Sequence, residues 1–290
     1  KILTRLMEVR SKMGGDAEPQ ISNLNRKRII ELLKDGKRLD GRGAFDYRNI
    51  EIETGVSNKA EGSARVRIGK TEVIVGVKLQ TQDPYPDHQD EGTMMTGMEF
   101  SPICGERYEP GPPKIDAIEV SRVVDRGIRE SGFIDWKKLC IKEGEKVWSI
   151  LIDIYCINDD GNVLDASSIA AVTALQVARF PEYSEEKGVQ YGEMTDTPLP
   201  LSDNVPFTMT FHKIGNSLVI DPNRDEEDAH NARLTLAISK VGKDHIINSM
   251  QKGELDVLSV DDMNKIIEES EKAYDKVFPD IENKVKELTK

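Results

Sequence analysis

Val147-Trp148-Ser149-Ile150-Leu151-Ile152-Asp153-Ile154-Tyr155-Cys156-Ile157 is a long apolar run rich in β-branched residues, and it reads as a buried strand. Asn158-Asp159-Asp160-Gly161-Asn162 follows with turn chemistry. Ala166-Ser167-Ser168-Ile169-Ala170-Ala171-Val172-Thr173-Ala174-Leu175 then predicts a helix with a face of small residues, able to pack closely on a sheet. A turn opening into a helix offers free backbone N–H groups and the positive end of the helix dipole to an anion. This turn carries no basic residue, and Asp165 puts a carboxylate beside it. That carboxylate suits a helix N-terminus but would repel a phosphate. The element is built for packing rather than for catalysis.

Upstream, residues 25–34 predict a helix with Ile29, Ile30, Leu32 and Leu33 on its apolar face, ended by Asp35-Gly36. Residues 50–56 predict a strand, and 64–68 with 72–79 a hairpin around Gly69-Lys70. Residues 80–97, with Pro84, Pro86, His88 and Asp90, read as a long polar loop or a pair of loops. Residues 115–131 are the next helix, with Ile118, Val123, Val124 and Ile128 as its apolar stripe. Downstream, residues 180–200 lose periodicity and read as a linker or surface loop. Residues 205–220 predict a hairpin turning at Gly215-Asn216, residues 221–228 an acidic loop, and residues 232–239 a strand. Residues 242–255 read as a strand-and-turn passage. Ser259-Val260-Asp261-Asp262 resembles a capping box for a helix that turns Met263, Ile266, Ile267 and Val277 to the core, and Pro279 is expected to interrupt it.

Hairpin-then-helix therefore occurs twice, which predicts an α+β fold of mixed sheets packed with helices. The expected organisation is a larger first unit at 21–180, a linker at 181–204, a smaller second unit at 205–278 and a helical tail at 279–290. Residues 1–20 read as a flexible extension that opens on a short basic helix, and Met13 is a candidate initiator.

At 290 residues the chain is long enough for one large or two smaller domains with a proper core. Its net charge of −12 argues against a general polyanion binder, so any nucleic-acid contact must be local or shared with a more basic partner. Cys104, Cys140 and Cys156 lack paired ligand spacing and read as reduced thiols of a cytosolic protein, not a zinc site. No apolar run approaches the length of a membrane span, and no signal-peptide pattern is expected ahead of the fold.

The strand, Asp-Gly turn and Ala-rich helix resemble the RNase PH family of phosphorolytic exoribonucleases. Within that family the chain is most similar to the non-catalytic ring subunits of the archaeal exosome, over residues 21 to about 277. Asp40-Gly41-Arg42, Tyr108-Glu109-Pro110-Gly111-Pro112-Pro113 and Ile118-Glu119-Val120-Ser121-Arg122-Val123-Val124-Asp125-Arg126 fit that pattern in order. So do Asp160-Gly161-Asn162 and Ala232-Arg233-Leu234-Thr235. Active members place an Arg in the phosphate turn, where this chain has Leu164. They also carry an acid in a Glu-Asp-Asn…Asp pattern; Asp228 fits its first Asp, and Arg233 stands where the second is expected. Phosphorolysis needs a cationic phosphate site, an acid for the leaving 3′-oxygen and cations to balance charge. The resemblance therefore implies a chain without catalytic residues, metal or cofactor of its own. As a solvated loop acid, Asp228 would simply belong with Asp221, Asp225, Glu226 and Glu227.

The basic helix offers a binding function. Arg122, Arg126 and Arg129 lie four and three residues apart and share a helical face, and guanidinium forks suit phosphate oxygens. Lys114, just ahead of the helix, is a further candidate. Pairing within the chain, with Asp125, Glu130 or a neighbouring strand, would produce the same row. Arg65 and Arg67 alternate on a strand and suit either RNA or plain solvent, while His88, His212, His230 and His245 show no metal-type or triad grouping. The resemblance implies a cytoplasmic hexamer in which three copies alternate with three of an active RNase-PH-like paralogue. RNA-binding cap proteins would sit on one face, and Arg122, Arg126, Arg129 and Lys114 would help to hold single-stranded RNA. An exoribonuclease active by itself, and a scaffold without RNA contact, are the alternatives.

Overall fold

Side chains that alternate between core and solvent build the first sheet. The computed structural model describes residues 21–288 apart from 255, so the expectations for residues 1–20 fall outside it. Helix α1 (Asn23–Lys34) starts at Ser22, whose hydroxyl accepts the Asn25 amide, and it buries Ile29 and Leu33. Strands β1 (Ile50–Thr54), β2 (Gly62–Ile68) and β3 (Thr71–Gln82) form an antiparallel meander. Val73, Val75, Val77 and Leu79 of β3 all point into the core.

The loop expected at 80–97 is shorter than its composition implied. β3 continues to Gln82, and β4 (Thr93–Phe100) is a strand parallel to the long apolar run, with Thr93 opposite Ser149. Only Met94 and Met98 mark its buried face, too sparse a pattern to announce a strand. Helix α2 (Ile115–Arg129) follows, then β5 (Cys140–Lys142), β6 (Lys146–Asn158) and α3 (Val163–Val177). The apolar run is β6, as expected, and its neighbours give the sheet order β1-β2-β3-β6-β4, with β5 beside β6. The small face of α3 lies on β2 and β3. There Ala166, Ala170, Ala171 and Ala174 are fully buried. A Cβ on Gly62 would stand 2.3 Å from the Ala174 carbonyl oxygen, so only glycine permits this approach.

The linker expected at 181–204 holds a two-stranded sheet instead, β7 (Arg179–Ser184) and β8 (Gly188–Pro198). Its anchors are aromatic: Phe180 and Tyr183 rest against Trp148. Pro181 and Pro198 are tolerated because an isolated ribbon leaves many N–H groups unpaired. The second sheet contains β9 (Phe207–Ile214), β10 (Ser217–Ile220), β11 (Ala232–Val241) and β12 (Asp244–Gly253), in the order β10-β9-β11-β12. Between β10 and β11 the acidic stretch is not an open loop. It forms helix α4 (Arg224–Ala229), closed by a capping box between Asn223 and Glu226.

Helix α5 (Val260–Leu288) begins at a reciprocal Ser259–Asp262 cap, as its sequence announced. Pro279 does not interrupt it. The helix runs through that proline, and Ile281 and Val285 beyond it are buried, so no separate tail begins at 279. Their burial offsets the missing N–H and the steric cost of an interior proline. The chain's main apolar core is continuous from the first sheet through α3 to the second. α3 lies between them, with Ser168 and Thr208 hydroxyls 2.7 Å apart across its second face.

Candidate functional site

The Asp-Gly turn between β6 and α3 is filled by the protein itself. Gly161 (φ 86°) and Asn162 (φ 59°) both take left-handed conformations. A Cβ on Gly161 would come within 2.6 Å of the Asn223 carbonyl carbon, so residues 222–224 press directly on the turn. The Asn162 amide donates to Glu227 Oε2 (3.1 Å) and the Gly161 amide to Asp159 Oδ1 (3.0 Å). Leu164 is in the first turn of α3, buried in the core. The two amides that lead into the helix thus already have their anions, and they are carboxylates. A phosphate arriving here would meet Asp159, Asp160 and Glu227, whose neighbours Arg48 and Arg224 are already ion-paired to them.

Beneath the turn lies a buried ionic knot that the sequence did not reveal. Asp221, read as part of an acidic loop, is fully buried. It accepts Arg48 Nη2 and Nε at 2.8 and 2.9 Å and Arg42 Nη1 at 2.8 Å. Burial alone would raise its pKa; the bonds and charge of Arg48 hold it below the ordinary carboxylate value. Arg48 also donates to the carbonyls of Asp160 (2.8 Å) and Gly161 (3.0 Å), clamping the turn from below. Asp165 is fully buried too. Its carboxyl is pushed up to about 6 by burial, against hydrogen bonds from Thr210, Asn162 and Tyr47 and with the Asp221 charge adding to the rise. Asn162 Nδ2 bridges the two acids, at 3.0 Å to Asp165 and 2.8 Å to Asp221.

Asp228 is not a solvated loop acid. It accepts Arg107 at 2.9 Å and Arg224 at 2.6 Å, and its side chain is 9% exposed. Burial would raise its pKa, but these two guanidinium groups bring it below the usual value. An acid so held carries no proton at neutral pH to give to a leaving oxygen. Arg224 also binds Asp159 (2.9 Å), which accepts the Tyr108 hydroxyl (2.6 Å). The Pro/Gly-rich stretch from Gly105 thus supplies two clasps, Arg107 and Tyr108. Arg233, from β11, donates to Glu119 on α2, which also accepts Gln251 Nε2 at 2.9 Å. Its guanidinium lies against Gly253, where a Cβ would stand 2.7 Å away. Arg233, expected to stand in place of the second acid, is thus tied into a structural pair.

The arginine row divides in two. Arg122 is exposed and makes no ion pair among the described residues, and Arg126 has only the exposed Glu130 at 3.6 Å. Arg129, by contrast, is engaged: it binds Asp125 (2.9 Å) and the Met94 carbonyl (3.0 Å) and lies over the Trp136 ring. Lys114 precedes the first residue of α2 and pairs at the surface with Glu109 (3.3 Å). Ile118 leaves the expected apolar stripe. It is 43% exposed, because Ala117, Val120, Val123, Val124 and Ile128 already fill the buried face. Arg65 and Arg67 sit in a ladder with Glu51, Glu53 and Glu72, which neutralises that strand face.

Two pairs distant in sequence meet in space. The rings of His212 and His230 are 4.8 Å apart, and the Cys104 and Cys156 thiols lie close enough to shift each other's titration, while the Cys104 thiol donates to the Ser101 carbonyl (2.9 Å). Among the described residues no group of three or more His, Cys, Asp or Glu side chains could hold a metal ion, and no helix is long and apolar enough to cross a membrane.

Residues 46–181 match the first domain of the 3′ exoribonuclease family, RNase PH, and residues 204–273 its second domain. The chain belongs to the RNase PH family. It is 49% identical over 232 residues to the exosome complex component Rrp42 of Methanosarcina acetivorans, covering 80% of this chain and 84% of the relative. Its fold is similar to a chain of the Archaeoglobus fulgidus exosome solved with RNA bound to the active site (TM-score 0.78, 39% identity), covering 85% of this chain and 93% of that one. It is equally similar to a chain of an archaeal exosome core (TM-score 0.78, 36% identity), covering 90% of this chain and 97% of that one. The resemblance read from the sequence holds for the RNase PH family and for its exosome branch.

Proposed function

We propose that this RNase PH chain is a non-catalytic ring subunit of an exosome, supporting an active paralogue and helping to hold its RNA. The observation that carries the reading is the filled turn: the Asn162 and Gly161 amides are taken by Glu227 and Asp159, residues 222–224 press on the turn, and Leu164 is turned into the core. In phosphorolysis a phosphate oxygen attacks the terminal phosphorus, the 3′-oxygen leaves with a proton, and a nucleoside diphosphate is released. Among the described residues the turn offers no open cationic pocket for the first step. Asp228, ion-paired to two arginines, has no proton for the second.

What it retains is a surface for RNA. On α2, Arg122 makes no ion pair among the described residues and Arg126 holds only the exposed Glu130, so both can turn to phosphates, and Lys114 adds a cation immediately before the helix. Arg129 orients the helix through Asp125 and Met94 and contributes its charge from a fixed position. In this reading the chain alternates with its active paralogue in a cytoplasmic hexameric ring, capped by RNA-binding proteins. It steers a single-stranded 3′ end towards the neighbour's active site.

The test follows a 5′-labelled oligoribonucleotide with phosphate and Mg²⁺, first with the purified chain and then with its paralogue added. The expected result is no shortening by the chain alone and phosphate-dependent shortening on mixing. Shortening by the isolated chain, with nucleoside diphosphates released, would make it an enzyme in its own right.

A further inference from the structure

Most cations on this acidic protein are committed to partners, but those of α1 are not. Arg26, Lys27, Arg28, Lys34 and Lys37 fall within α1 and its closing turn, and none makes an ion pair among the described residues. Lys27, Arg28, Lys34 and Lys37 are exposed. Glu31 and Asp35 are the only acids interspersed, although Glu31 lies at pairing distance in sequence from Lys27, Arg28 and Lys34. The first turn of α1 contains no acid, so Arg26 to Arg28 stand near the positive end of the helix dipole, where cations oppose helix formation. Lys34 and Lys37 sit at the C-terminal end, which the dipole favours, but packing does not account for Arg26 to Arg28; Ile29 and Leu33, with Ile30 beside them, fasten α1 to Ile214, Val219 and Ala229.

We propose that the solvent face of α1 is a second polyanion contact, one that takes the sugar–phosphate backbone of single-stranded RNA without reading its bases. The inference rests on the RNA-handling role proposed above. The face fits phosphates better than it fits a protein. Protein interface cores are depleted in charge and enriched in aromatics, whereas α1 has no aromatic residue and only Leu24 as an exposed apolar side chain. Lacking aromatics, it also cannot stack bases, so its contacts would be electrostatic and insensitive to sequence. It is separate from the Arg122 row. α1 packs against α4 and β10, whereas α2 packs chiefly on β4 and α3 and reaches β12, β11 and β9 of the second sheet. A strand of RNA touching both would be held at two places by one subunit.

The experiment is a fluorescence-anisotropy titration of the full chain with 5′-labelled oligouridylate across a salt series. It compares wild type with Lys27→Glu/Arg28→Glu, Lys34→Glu/Lys37→Glu and the four changes combined. The same four positions as Gln serve as a second set should the acidic variants fail to fold, and Arg122→Glu/Arg126→Glu runs beside them. The combined variant is expected to bind at least ~10-fold more weakly, and its log–log salt slope should be shallower by about 3, the value for four lost phosphate contacts on a single strand. The Gln set should show a smaller loss in the same direction. Affinity within ~2-fold of wild type and an unchanged slope, while Arg122→Glu/Arg126→Glu weakens binding, would overturn this inference and leave the RNA role standing. No RNA binding by wild type even at low salt would remove both. A labelled polyglutamate peptide bound as tightly as RNA, and lost with the same substitutions, would mark α1 as a dock for an acidic protein instead.

Discussion

Asp165 has no route to water and four hydrogen-bond donors around it: the Tyr47 and Thr210 hydroxyls, the Asn162 side chain and the Thr210 amide. Burial still wins, and the carboxyl stays protonated up to about pH 6. The folded chain thus binds this proton more tightly than the unfolded one, whose carboxyl has its ordinary value near 3.8. By linkage, the contribution of Asp165 to stability is complete below pH ~4 and is lost as the pH rises through ~6, about 3 kcal/mol in all. Asp221 and Asp228, whose pKa values are lowered, act below that window and in the other direction. Urea unfolding of wild type and Asp165→Asn between pH 4.5 and 7.5 should show the wild type losing stability with rising pH relative to the variant. Parallel profiles would mean that the Asp165 carboxylate is ionised throughout.

At the scale of elements, α5 sets a measurable distinction. If the residues beyond Pro279 formed a solvated tail, Ile281→Ala would cost no more than ~0.5 kcal/mol, as surface changes do. With Ile281 buried in the main core, it is expected to cost about 2 kcal/mol or more, read from the urea midpoint. The same helix shows what the sequence could convey. Its start was legible because the Ser259–Asp262 cap is local chemistry, as β6 was legible from a run of β-branched residues. Its continuation through Pro279 was not, because the compensation comes from core contacts far off in the chain. β4 was hidden for a similar reason: its partner is β6, and only Met94 and Met98 are buried apolar side chains. At the site, the burial of Leu164 followed from its apolar character, and Arg233 was notable only as a departure from the pattern that the resemblance implies. The pairing of Arg107 and Arg224 with Asp228 was not legible, since Arg107 is 121 residues away from its partner.

For the molecule as a whole, a net charge of −12 sets the background against which any RNA contact must work. Local arginines must outweigh a repulsive field, so removing even two of them should be conspicuous. Arg122→Glu with Arg126→Glu is expected to weaken RNA binding by the reconstituted complex ~10-fold or more, while sedimentation shows the assembly intact. Equal binding after both changes would remove these arginines from the RNA path. The field has a second source of relief in the buried knot, where Arg38, Arg42 and Arg48 neutralise Asp221 and Glu226 inside the fold. Those pairs lower the cost of burying acid without adding to the outer surface potential.

The closed turn also bears on reversibility. Exchanging Leu164 for arginine would not reopen a phosphate site. The new guanidinium would enter the apolar core, and the turn above it would still be filled by Glu227 and by the backbone at Asn223. Arg233 would still stand, tied to Glu119, where the second acid is expected. Each position is held by its neighbours, so under the reading proposed above no single substitution is expected to confer phosphorolysis. If the chain is non-catalytic as proposed, packing makes that state a ratchet: opening a phosphate site would take several changes together.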